Sequence, residues 1–349
     1  MTHDARDVVT LREVARAAGV HPGTASRALN EATRSLVRPE TVERVVAAAS
    51  ALGYRPNYLA RSFKTRQTRS VGVVIPDINN PLFPPMVLGI EDRLTTEGYV
   101  TLLANTQNEA QRRERIFAEM LERHVDGLIV ATAQREDPEL VELAQDGIAV
   151  VLLNRVVEDR SFSSVSADDG AGVRAVVDHL VGLGHERIAH VAGPQSMSTG
   201  LARYQGFLTS MHAAGRRAEP DLVAAATSFT IAEGERCATA LLESGGAPTA
   251  IFAANDMLAL GCYSALERAG LRCPEDVSVV GFNDMPFIDR LNPPLTTVRI
   301  PHYELGAQAA QLLVDQLHQP HEPLRVLLLV PSLVVRGSTA PARAAVRVG

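Results

Sequence analysis

The chain has 349 residues, 46% of them hydrophobic, which excludes wholesale disorder and leaves room for two or three packed units. Aromatic residues make up only 4% and Trp is absent, so the apolar mass is Ala, Val and Leu, a balance that favours helices on buried parallel sheets over a β-sandwich. The formal charge of −6 is unevenly spread: residues 1–69 hold 11 Arg and Lys64 against six acids, while the remainder carries 22 Arg against 34 acids. A basic end on an acidic body is the pattern of a nucleic-acid-binding arm attached to an independent domain.

Three cysteines, Cys237, Cys262 and Cys273, lack metal-type spacing, so neither a disulfide framework nor a zinc site is expected, and a reducing cytoplasm fits. The first 30 residues have no apolar leader, and the longest aliphatic runs, such as Val326 to Val330, are too short to span a bilayer. The expected location is the cytoplasm, with no membrane partner.

In the basic end, Thr10 and Glu13 form a capping box that starts a helix at Leu11. Leu11, Val14, Ala15 and Ala18 repeat at helical spacing, and Gly19 ends the segment. Pro22 opens a short second helix running to Leu29. A loop from Glu31 to Arg38 follows, and Pro39 begins a third helix with Val42, Val45, Val46, Ala49 and Leu52 on one stripe, closed by Gly53. Helix, Gly-containing turn and short helix is a helix-turn-helix layout.

The run Val9 to Ala15, then Ala18-Gly19-Val20, Thr24, Ser26 to Asn30, and Leu52 to Asn57 resembles the headpiece of the lactose-repressor (LacI) family of bacterial transcription regulators. The resemblance continues through Ala60 to Thr65, Val71 to Pro76 and Pro293 to Val298, and so covers nearly the whole chain. It implies a headpiece over residues 1–56, a hinge helix and linker over 57–69, and a two-lobed core. One lobe would comprise 70–166 and 297–330, the other 167–296 and 331–349. It also implies that His21, Pro22, Gly23 and Arg27 face base edges in the major groove. Pro22 and Gly23 offer no hydrogen bonds, so reading falls mainly to Arg27, whose fork suits guanine at roughly 1–3 kcal/mol of discrimination. Thr24 and Ser26 suit phosphates, and His21 is either a cap or a base contact. Thr10, Asn30, Tyr54, Asn57, Ala60, Arg61 and Lys64 complete the implied DNA surface. Phe63 stands where the family uses a Leu wedge in the minor groove, and Val42 stands at a position often held by Arg.

From residue 70 the runs Val71–Ile75, Val100–Ala104, Gly127–Val130, Ala149–Leu153, Ile188–Ala192, Ala250–Ala253 and Val277–Val280 alternate with helical stretches. This β-α repeat predicts two doubly wound parallel sheets with a cleft at their carboxyl edges. The resemblance implies a periplasmic-binding-protein-like core with crossovers near Ser166, Thr297 and Pro331. Just beyond the strand ends stand Asp77, Leu82, Phe83, Asn154, Arg155 and Asp256. The resemblance implies that Phe83, Arg155, Arg203, Phe229 and Asp256 line the effector pocket, and Asn283 completes the candidate effector site. Arg203 and Asp256 would grip hydroxyls, and Phe83 and Phe229 would offer flat apolar faces. Against these stand plainer roles: Arg203 bracing a loop, Phe229 in the core, Asp256 capping the helix Met257–Leu266. If Arg155 faces the cleft, it points to an anionic or strongly hydroxylated effector.

Enzyme motifs are missing. Gly182 to Arg187 begins like a dinucleotide loop but precedes a strand, no phosphate-binding loop or nucleophile elbow is present, and His179, His185, His190, His318 and His321 lack metal-site spacing. No cofactor is expected. The expected function is a homodimeric repressor of near-palindromic operator DNA, tuned by a sugar or sugar derivative. A purine or nucleoside acting as corepressor is the alternative reading, and a sugar-binding receptor or enzyme with an incidental helical N-terminus is the reading from another class. The tail after Ser338 has no leucine heptads to support a tetramer.

Overall fold

A computed structural model describes residues 9–54 and 67–342, in two units that divide after Thr68. The small unit is all helical: α1 (Leu11–Ala17), α2 (Pro22–Leu29), the single turn α3 (Glu31–Arg34) and α4 (Pro39–Ala51). Its core is built from Val14, Ala15, Ala18, Ala25, Ala28, Val45 and Ala49. The small alanines let α2 approach its neighbours closely. Thr10 and Glu13 make the expected capping box, and Gly19 turns the chain with φ +63°. Two expectations are corrected. The segment after α2 is a helical turn at its start and not a plain loop, because Thr33 Oγ1 donates to Arg27 O (3.1 Å) and Arg34 Nε to Ala28 O (3.2 Å), satisfying carbonyls that α2 leaves open. Val46 and Leu52, placed on the buried stripe of α4, are exposed, since the face turned to the core carries Val42, Val45, Ala48 and Ala49.

The larger unit runs β1 (Ser70–Ile75), α5 (Phe83–Thr96), β2 (Val100–Asn105), α6 (Ala110–Glu122), β3 (Gly127–Val130), α7 (Pro138–Gln145), β4 (Ala149–Leu153) and β5 (Ser163–Ala167). It continues with α8 (Asp169–Gly182), β6 (Ile188–Ala192), α9 (Ser198–Ala213), β7 (Val223–Ala225), α10 (Ile231–Glu243), β8 (Ala250–Ala253), α11 (Asp256–Arg268) and β9 (Ser278–Asn283). Last come β10 (Thr296–Arg299), α12 (His302–His318), β11 (Val326–Leu329) and β12 (Ser332–Val334).

Two six-stranded sheets result, ordered β11-β5-β4-β3-β1-β2 and β12-β10-β9-β8-β6-β7. All described pairings are parallel except β10 with β12. In each sheet the order reverses beside the first strand, at β1/β3 and at β6/β8. Such switch points leave a crevice beyond the carboxyl ends of the strands. The chain passes between sheets after β5, after β10 and at Val330–Pro331. β10 stays in register with β9 from Thr296↔Val280 to Arg299↔Asn283, so the middle crossover follows Arg299, two residues beyond Thr297.

Helix α12 returns to cover the first sheet, crossing α5 at backbone distance. A methyl group on Gly89 would collide with Tyr303 O, and one on Gly306 with Met86 O. Glycine at both positions is therefore a packing requirement.

Candidate DNA-reading helix and effector cleft

Helix α2 presents one face to its core through Ala25 and Ala28 and leaves His21, Ser26 and Arg27 exposed. His21 is the N-cap: its Nδ1 accepts the Gly23 N–H at 3.1 Å. The capping role considered for this residue is therefore realised, and the acceptor role of Nδ1 leaves Nε2 carrying the ring proton. Arg27 Nε donates to Gly23 O at 3.2 Å, back along the helix toward its N-terminus. That anchor leaves both terminal nitrogens of the guanidinium as a fork, with Pro22 and Gly23 as a low, smooth surface beside it. Thr24 is half-buried, Asn30 is the C-cap, and Tyr54 packs against the helical core. The Thr10 hydroxyl donates to Glu13 Oε2 (2.9 Å) and accepts the Glu13 N–H. These bonds, led by the one from the Thr10 backbone amide, hold the Glu13 carboxyl below its ordinary range. Asn57, Ala60, Arg61, Phe63 and Lys64 lie outside the described residues.

In the body, the first lobe contributes the edges of β1, β3 and β4. Asp77 is turned onto its own loop, Oδ1 accepting from the amide (2.9 Å) and side chain (3.2 Å) of Asn79. Leu82 and Phe83 are buried, and Phe83 belongs to the apolar cluster of Val71, Val73 and Met86. Asn154 follows β4 with φ +65°, a conformation that costs energy for a side-chain-bearing residue, and the buried Arg155 comes next. In the second lobe Asn283 ends β9 with φ +119°, and its Oδ1 is buried without a partner.

Arg203 of α9 is fixed on three sides. Its Nε donates to Asp169 Oδ1 (2.8 Å), Nη1 to Ala254 O (2.7 Å), and the guanidinium lies 3.9 Å from the centre of the Phe282 ring. Burial pushes the Asp169 carboxyl up, opposed by Arg203. Behind them the His190 ring packs against Phe207 and Phe252, each at 4.7 Å, and shares a 2.9 Å hydrogen bond with Phe252 O. Burial lowers this imidazole to about 4, so it stays neutral. Sequence reasoning assigns neither His190 nor Asp169 a role, because their partners lie 62 and 34 positions away.

Asp256 sits in the core and not on the cleft. It is wholly buried, Oδ2 accepting the Met285 N–H (2.8 Å) and Oδ1 the Thr297 hydroxyl (2.6 Å). Burial pushes it up to about 7. Both oxygens tie elements of the second lobe together, and a side chain with no exposed surface presents nothing to a ligand hydroxyl. The cap of α11 is Asn255, whose Oδ1 accepts the Leu258 N–H at 2.8 Å, and the helix itself begins at Asp256. Phe229 is half-buried against Gly193, where any side chain would strike its ring.

The lobes touch at one rim of the cleft. The Val156 N–H donates to Ser198 Oγ (2.9 Å), and Arg135 Nη1 to Gln195 O (3.3 Å). Neither Ser198 nor Gln195 is legible in the sequence, since each contact involves a backbone group on one side of the rim. Among the described residues no cluster of His, Cys, Asp and Glu could hold a metal ion, and no helix is long and apolar enough to cross a membrane.

Comparison with known proteins decides the family. Residues 10–57 match the model for bacterial regulatory proteins of the lacI family, and residues 177–339 match a periplasmic binding protein-like domain. A ribose operon repressor of Halalkalibacterium halodurans is 33% identical over 95% of this chain and 97% of its own length. The chain belongs to the LacI family. Another LacI-family relative, the transcriptional regulator CelR of Thermobifida fusca, is 36% identical over 94% of this chain and 98% of its own. Among solved structures, the lac repressor dimer bound to operator and the anti-inducer ONPF superposes with a TM-score of 0.84 at 30% identity, covering 95% of this chain and 99% of that one. A CelR–cellobiose complex gives 0.73 at 34% identity with the same coverage. As a LacI-family protein it is a DNA-binding transcriptional regulator and not an enzyme.

Proposed function

We propose that the protein is a cytoplasmic, homodimeric repressor whose affinity for a near-palindromic operator is set by a sugar or sugar derivative held between the two lobes. The observation that carries the cleft reading is the pair of left-handed asparagines, Asn154 and Asn283, at carboxyl edges of opposite sheets, beside the three-point mount of Arg203. Strain of this kind persists where a ligand needs it. The fold supports the reading: the edges of β1/β3 and β6/β8 are the switch points at which such sheets bind ligands. Relatives point the same way, one solved with cellobiose and another, a family regulator from Enterococcus faecium, with ribose.

In this reading α2 enters the major groove with the Arg27 fork on guanine, His21 offering its Nε2–H, and Ser26 and Thr24 on phosphates. One headpiece reads a half-site, so two copies are required. Leu88 on α5 and Val100 and Leu103 on the edge strand β2 are exposed and supply an apolar face to a second copy. Phe63, in the stretch 57–69 that links headpiece and body in the sequence, takes the place of the family's minor-groove wedge. The effector acts to the extent that it prefers one lobe arrangement.

Thermal unfolding across a carbohydrate panel tests the reading, because a ligand at 100 times its Kd adds about 2.7 kcal/mol. A compound that raises the midpoint must also change operator affinity in a titration. A stabilising ligand with no effect on DNA binding would overturn the regulatory half of the proposal.

A further inference from the structure

Arg155 is 7% exposed, yet among the described residues its guanidinium has neither a hydrogen-bond partner nor a carboxylate at ion-pair distance. The body's other well-buried arginines show how the chain otherwise treats such a charge. Arg203 is paired with Asp169, Arg113 with Asp137 and Glu139, and Arg336 with Asp284. Desolvation, reinforced by a second cation, Arg113, brings the Arg155 guanidinium down to about 10. A buried cation without a counter-charge is among the costliest arrangements in a folded chain.

Its position is the rim where the lobes meet, since the next residue's amide is bonded to Ser198 of the second lobe. The acids just beyond the strand ends are already committed. Asp137 serves Arg113 and the Gln134 amide, Asp77 serves Asn79, and Asp256 serves Met285 and Thr297. The unpartnered groups at these strand edges, Thr132 Oγ1 after β3 and Asn283 Oδ1 at the end of β9, are neutral. Arg155 is thus left without a carboxylate or a neutral acceptor of its own.

We infer that the effector is an anionic carbohydrate derivative, a sugar acid or a sugar phosphate, whose charged group pairs with the Arg155 fork. The planar guanidinium suits a carboxylate or phosphate oxygen pair. The inference rests on the interlobe cleft being the effector site.

The experiment is calorimetric and thermal titration of the full-length protein with sugar acids and sugar phosphates, each beside its neutral parent sugar. Arg155→Gln, Arg155→Lys and Arg155→Met are measured in parallel. An acid or phosphate should bind at least tenfold more tightly than its parent. Arg155→Gln should erase that preference and Arg155→Lys should keep part of it. Without ligand, Arg155→Met should raise the unfolding midpoint, because it removes the uncompensated charge; a fall would show a counter-charge within the chain and overturn the inference. Preference for phosphates over acids, or the reverse, assigns the charged group. A neutral sugar that binds as tightly as its acid overturns the inference and leaves the cleft reading intact. Failure of every carbohydrate of either charge overturns both.

Discussion

Replacing Asp256 with asparagine should stabilise the protein above neutral pH, and the geometry sets the size of the effect. In the folded chain this carboxyl is pushed from 3.8 up to about 7 by burial. The folded state therefore holds a proton that the unfolded state has already released between those values. Stability contributed by Asp256 is greatest below 3.8 and declines as pH rises through about 7. The full interval corresponds to about 4 kcal/mol. The partners accept an amide with one adjustment: in Asp256→Asn the side-chain oxygen would take the Met285 N–H, and the new amide nitrogen would donate to Thr297 Oγ1, whose hydroxyl rotates from donor to acceptor. Denaturant unfolding of both proteins from pH 5 to 9 gives the test as a difference, which cancels the buried histidines. That matters because His190 and His302, both lowered to about 4 by burial, contribute in the opposite sense, losing stability as pH falls from 6.5 through 4. The variant should gain on the order of 2–4 kcal/mol at pH 8–9, with the gain shrinking toward pH 5. A variant that is less stable at every pH, or a difference that does not change with pH, would refute the assignment of Asp256 as a buried, reluctantly charged lock.

Three further outcomes are expected. Arg27→Ala should reduce discrimination between operator and random DNA by about 1–3 kcal/mol per half-site, read in competition titrations, with the salt dependence of binding little changed. Ser198→Ala leaves the Val156 amide without its acceptor and should weaken effector binding severalfold, about 1 kcal/mol, measured by calorimetry with the unfolding midpoint nearly unchanged. Gly306→Val forces α12 away from α5 and should lower stability by about 3 kcal/mol or more in denaturant titration, with a comparable loss for Gly89→Val.

Strands with aliphatic runs were visible in the sequence because burial on both faces leaves a hydrophobic block, and the edge strand β2 carries such a run although it is partly exposed. β5 was not, although all five of its residues are buried, since three are serines; Ser163 Oγ accepts the Arg325 amide at 3.2 Å in compensation. β7 and β12 are only three residues long and β10 begins with two threonines, so none leaves such a block. In the site, strand ends pointed to the right neighbourhoods, but proximity in sequence cannot show which way a side chain faces. Asn255 and Asp256 are adjacent, and one caps a helix while the other locks three elements of the second lobe. Asp169 and Arg203 are far apart in sequence, and their pairing follows from α8 lying against α9.

The triple crossing between sheets has a consequence for biosynthesis. The first lobe begins at Ser70, but the helix that covers its sheet is α12, and its edge strand β11 is complete only at Leu329. A ribosome must therefore make nearly the whole second lobe before the first can close. Until then the face awaiting Leu305, Ala309, Leu312 and Leu313 is uncovered. The lobe translated first thus stays open through most of synthesis, and a nascent chain halted near residue 300 would expose that face to chaperones.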